Sequence, residues 1–93
     1  METALKKQPM RELFQAILKL KNTDECEKFF RDLCTLNELK SMSERWQVVQ
    51  ELNKNIPYRA IAQKTGSSTA TITRVAHWLH HGTGGYQLML HRR

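Results

Sequence analysis

Pro57-Tyr58-Arg59-Ala60-Ile61-Ala62-Gln63-Lys64-Thr65-Gly66-Ser67-Ser68-Thr69-Ala70-Thr71-Ile72-Thr73-Arg74-Val75-Ala76-His77-Trp78-Leu79 places small and apolar residues where two helices meeting at a tight turn need them. Ile61 and Ala62 face inward from a first helix, and the small side chain of Ala62 lets a second helix approach closely. At Gly66 the left-handed backbone conformation that ends a helix carries little steric cost. Ser67 or Ser68 then accepts hydrogen bonds from the free amides of the next turn and starts another helix. Ile72, Val75, Ala76 and Leu79 recur at helical spacing as its buried stripe. Thr69, Ala70, Thr73, Arg74 and His77 fall on the opposite face. Short hydrogen-bonding or methyl-bearing side chains near a helix start, with an arginine one turn on, suit close approach to a DNA major groove. The spacing predicts a helix-turn-helix over residues 56–80.

Charge points the same way by a separate route. Residues 1–51 hold nine Lys/Arg and nine Asp/Glu, whereas residues 52–93 hold six Lys/Arg and no acid, so the whole net charge of +6 lies in the half with the helix-turn-helix. That segregation lowers the cost of approaching a polyanion and makes affinity depend on salt through counterion release.

The remaining sequence predicts helix after helix, with no alternating strand pattern. Leu13, Phe14, Ile17, Leu18 and Leu20 form an apolar stripe over about residues 9–21, opened by Pro9. Asn22-Thr23-Asp24 interrupts it and can cap a second helix carrying Phe29, Phe30 and Leu33. Thr35 with Glu38, and Ser41 with Glu44, match the capping-box spacing and mark two further starts. Trp46, Val49 and Leu52 continue the apolar face, and Asn55 terminates a helix ahead of Pro57. The fold class is therefore all-α, five or six short helices in a single domain over 1–93. Residues 9–54 form a helical body, 56–80 the helix-turn-helix, and 82–93 a Gly-rich turn and tail in which Tyr86, Leu88 and Leu90 dock. Leu13, Phe14, Ile17, Phe29 and Phe30 read either as a homodimer interface or as ordinary internal core. A dimer has a functional motive, because two reading helices one DNA turn apart recognise a two-fold related site.

Several classes are disfavoured. No apolar run is long enough for a membrane span, and no secretory signal is evident, so a cytoplasmic protein is expected. Cys26 and Cys34 fit no common zinc or redox spacing and read as structural thiols. The acids all precede residue 52, and Gly82-Thr83-Gly84-Gly85 does not follow a strand as a phosphate-binding loop does, so no catalytic residue, cofactor or enzyme activity is expected. His77 and His81 are spaced so that two imidazoles share one helix face, but no neighbouring Cys, Asp or Glu completes a ligand set. No metal is assigned. A metal-responsive regulator using His77 and His81, or a small protein-interaction module, stands as the alternative to a DNA-binding regulator.

The run Ser68-Thr-Ala-Thr-Ile-Thr-Arg-Val75, the preceding Tyr58-Arg-Ala-Ile-Ala62, the upstream Leu33-Cys-Thr35 and Glu44-Arg-Trp46, and the closing His81-Gly-Thr-Gly-Gly-Tyr86 resemble the Trp repressor-like superfamily, in particular its YerC/YecD branch. The resemblance covers roughly residues 10–90. It implies an intertwined all-helical homodimer with a helix-turn-helix projecting from each side, and a transcriptional regulator of double-stranded DNA, a repressor by the family's example. It also implies that Thr69, Ala70 and Thr73 lie over base edges, while Tyr58, Arg59 and Arg74 approach the backbone. Ser68 at the helix start and His77 facing a phosphate complete the expected DNA-binding set. In the tryptophan-responsive branch a threonine and two arginines line the corepressor pocket, and Thr35, Arg45 and Arg74 fall at matching positions. The glycine that follows the second arginine there is Val75 here, and Trp78 replaces a small residue one turn on. Both add bulk where a flat ring needs space. Tryptophan binding is not expected, and an effector of another kind is left open.

Overall fold

The computed structural model describes residues 3–92, and their regular structure is entirely helical. A turn of 3-10 helix, Thr3–Lys6, precedes α1 (Gln8–Ile17), α2 (Thr23–Leu33), α3 (Leu36–Asn53), α4 (Tyr58–Thr65), α5 (Thr69–His81) and α6 (Gly85–His91). The chain divides into two compact units, one ending at Thr35 and one beginning at Leu36. That boundary falls within the 9–54 segment expected to act as one body.

In the first unit the expected starts are in place. Pro9 sits in the first turn of α1, where its missing N–H costs nothing. Asn22 caps α2 by accepting from the Glu25 amide at 2.9 Å, and the Glu25 carboxylate reaches back to the Lys21 amide at 2.9 Å. Phe29 and Phe30 meet edge to face, with ring centroids 5.7 Å apart. Yet none of the described residues of this unit is buried, and Phe14, Leu18 and Leu33 all stand exposed. Within this unit the apolar stripes enclose no buried residue among those described.

The second unit holds the core. Val48 and Val49 of α3, Ile61 of α4, and Ile72, Val75, Ala76 and Leu79 of α5 are buried, with Trp46, Leu52, Ile56, Ala62, Tyr86 and Leu90 packed around them. α3 packs against both α4 and α5, so its inward surface is wider than one stripe, which is why Val48 is buried alongside the expected Val49. α3 runs unbroken for 18 residues. Ser41 and Glu44 therefore lie inside a helix and start none: the amides that a capping box would satisfy are already held by the helix itself. Asn55 ends the segment as expected, in the left-handed region at φ 61°. The expected tail is a helix, α6, which packs against α3 and α5. Its Tyr86 ring lies 6.4 Å from that of Trp46, and Gln87 Nε2 donates to the Leu79 carbonyl at 3.2 Å. Leu90 docks with Tyr86, but Leu88 points away from the core and is 54% exposed, because residues 86 and 90 share a helix face that 88 does not.

Glu51 is a charged member of this interior, 4% exposed and paired with Lys64 of α4. The Lys64 hydrogen bond holds its carboxyl below the ordinary value of 4.5 and outweighs the upward push of burial, with the charges of Lys64 and Lys54 adding to the lowering. A carboxyl depressed on folding contributes stability above its ordinary value and loses it as the pH falls through the lower folded-state value. Glu51→Gln is therefore expected to be less stable than the unsubstituted protein at neutral pH, with the difference shrinking in acid. Urea midpoints measured at a series of pH values check this, and a difference that stays constant through the acid range would contradict it.

Candidate nucleic-acid interface

The reading unit is built around its turn. Thr65, the last residue of α4, donates its hydroxyl to the Ile61 carbonyl at 2.7 Å and accepts from the Ser67 amide at 3.2 Å, tying the end of one helix to the approach of the next. Gly66 follows at φ 76°, ψ 2°, and its amide donates to the Ala62 carbonyl at 2.9 Å. The space where a Cβ would stand is empty, so a larger residue at 66 would cost backbone strain rather than a clash. Ser67 is buried, and Ser68 is the cap: its Oγ accepts from the Thr71 amide at 3.1 Å and donates to Thr71 Oγ1 at 3.0 Å.

Once started, α5 sorts its side chains by face. Ile72, Val75, Ala76 and Leu79 are buried, all four of the expected stripe, while Thr69, Ala70, Thr73, Arg74 and His77 are exposed. Ser68 is exposed at the helix start. On α4, Tyr58 is 43% exposed and the neighbouring Arg59 is exposed. The structure thus leaves all eight expected contact residues on the surface of the helix pair. Ser68 differs from the rest, since its hydroxyl is already engaged in the cap. The exposed set offers two threonine hydroxyls and a methyl near the start of α5, with guanidinium groups from both helices. It contains no acid.

Two positioning residues were not legible as such. Glu51 drew no reading from the sequence; it is buried and binds Lys64, which ties α4 to α3. Thr65 had a signal in hindsight, a hydroxyl immediately before a helix-ending glycine. At the far end of α5, a Cβ at Gly82 would collide with the Trp78 carbonyl oxygen, so this glycine allows the chain to leave the helix toward α6.

Arg45 and Arg74 line one hollow of about 260 Å³ in the second unit. Val75 and Trp78 also line it. Val75 is 3% exposed and committed to the core. Among the described residues, no helix is long and apolar enough to cross a membrane.

A family model described as Trp repressor protein matches residues 8–93. The uncharacterized protein YerC of Bacillus subtilis (strain 168) is 44% identical over 81 residues, covering 87% of this chain and 78% of that protein. The crystal structure of a TrpR-like protein from Eubacterium eligens superposes with a TM-score of 0.92 at 47% identity, covering 96% of this chain and 92% of that one. A second crystal structure, from Staphylococcus aureus and provisionally named a Trp repressor, gives 0.89 at 43% identity, covering 97% and 91%. With six α-helices among its described residues, a capped helix-turn-helix and these likenesses over nearly its whole length, the chain belongs to the Trp repressor family.

Proposed function

We propose that the protein is a sequence-specific regulator of transcription that binds double-stranded DNA as a homodimer, inserting α5 into the major groove. The carrying observation is the sorting of α5 into a buried apolar face and an exposed face of short polar side chains, on a half-chain with no acid. Thr69, Ala70 and Thr73 are short enough to meet base edges or thymine methyls only if the helix sits deep, whereas Tyr58, Arg59, Arg74 and His77 have the reach to hold phosphates at the groove margin. Ser68 acts by setting where the helix begins. The reading assigns the protein no catalysis, and by the family's example it is a repressor.

Dimerisation is supported by the first unit, whose amphipathic helices hold no fully buried residue among those described. An apolar face of this kind is covered by a second copy in a self-complementary way, which also supplies the second reading head. Tryptophan is not the effector on this reading. Val75 has no freedom to move aside because its side chain is core, and Trp78 adds bulk at the edge of the same hollow, so accommodating a further ring would require overpacking at about 1–3 kcal/mol.

Arg59 gives the first test. Arg59→Ala is expected to weaken binding to all duplexes alike and to flatten the dependence of log K on log salt by roughly 0.9 per phosphate contact, hence about 1.8 for a dimer with one such contact in each protomer. Fluorescence anisotropy over a salt series measures this. An unchanged slope would remove Arg59 from the interface.

A further inference from the structure

We propose that His77 and His81 form a two-imidazole site for a borderline divalent transition-metal ion, Ni²⁺, Cu²⁺ or Zn²⁺, on the exposed side of α5. Both side chains are exposed, and their ring centroids lie 5.3 Å apart with the planes inclined at 45°. Metal–imidazole bonds are about 2.0–2.1 Å long. Adding roughly 1.1 Å from nitrogen to ring centre, two imidazoles at a tetrahedral angle on one ion have centroids about 5 Å apart. The observed separation of the two rings is therefore compatible with one ion between them, and rotation about exposed side-chain bonds is all that is needed to turn a nitrogen of each toward it.

Neighbouring histidines are placed differently. His80 and His81 have centroids 6.4 Å apart on adjacent positions of the helix, which point to different sides. His91 is engaged with Gln87 Oε1 at 3.2 Å. Among the described residues, no group of three or more His, Cys, Asp or Glu is gathered to hold an ion, so water completes the coordination of the His77/His81 site. Two neutral nitrogens with no carboxylate select against Mg²⁺ and Ca²⁺, which require oxygen ligands. They favour the ions that bind imidazole most strongly, Cu²⁺ above Ni²⁺ and Zn²⁺. His77 is edge-on to Trp78 with centroids 5.6 Å apart, so a bound paramagnetic ion lies beside an indole that reports it.

The site needs no DNA to be tested, so its failure and that of the DNA-binding reading are separable. Tag-free protein is titrated with nickel chloride in the absence of nucleic acid, following tryptophan fluorescence and binding heat. Saturable quenching at one ion per chain, reversed by EDTA, is expected. His77→Ala and His81→Ala should each weaken binding by about tenfold or more. His80→Ala and His91→Ala should bind nickel as the unsubstituted protein does, all variants keeping their helical circular dichroism. No saturable binding up to millimolar nickel would overturn the site. So would full binding by His81→Ala, or a loss in His80→Ala equal to that in His81→Ala.

Discussion

Thr73→Glu is expected to abolish specific DNA binding while leaving the fold intact. Thr73 is exposed on α5, one residue from the fully buried Ile72, and carries no part of the core. On the proposed reading its side chain sits over base edges, deep between the two phosphate-lined walls of the groove. A carboxylate there meets like charge on both groove walls, a juxtaposition that costs several kcal/mol. At about 1.4 kcal/mol per factor of ten, affinity for the selected duplex should fall by at least roughly a hundredfold. Circular dichroism and the melting temperature should stay near those of the unsubstituted protein. Retained binding at the original affinity would take Thr73 out of the groove and with it the proposed orientation of α5.

Ile72→Ala is expected to do the reverse, costing stability first and DNA binding only as a consequence. Ile72 is among the largest side chains with no exposed surface, and with Ile61, Val48 and Val49 it forms the centre where α3, α4 and α5 meet. Truncating a buried isoleucine removes its transfer energy and leaves a cavity, together about 2–5 kcal/mol. Domains of this size are stable by only about 5–15 kcal/mol, so the loss is a large share of the total. The melting temperature should drop by about 10 °C or more. A drop of one or two degrees would mean that the three helices can close over the gap, and that the core is less tightly specified than its burial indicates.

The contrast between these neighbours explains what could be read from sequence and what could not. The stripe Ile72, Val75, Ala76 and Leu79 was legible because its four positions follow one helical period, and Gly66 and Ser68 announced the turn through backbone chemistry that few other residues supply. α3 resisted the same treatment. Its buried face is wider: Val48, Val49 and Glu51 are all buried within four residues, beneath α4, α5 and α6 together, and a narrow stripe does not reproduce that pattern. Ser41 and Glu44 matched a capping box by spacing alone, and spacing does not say whether a helix is already running. Glu51 was illegible for a different reason: its burial depends on Lys64, thirteen positions away on another helix. Among the candidate contacts, exposure of the eight residues followed from helical period, while the cap role of Ser68 required its hydrogen bonds to be seen. The histidine pair was already an alternative ligand set by its spacing, and the distance between the rings is what the structure adds.

The central claim is that this helix-turn-helix reads DNA as a symmetric pair. Selection of bound fragments from random duplex DNA by the purified protein, followed by titration of the winning fragment against salt, tests it most directly. A two-fold related motif whose affinity falls steeply with salt is the predicted result; no enrichment by folded protein would contradict it.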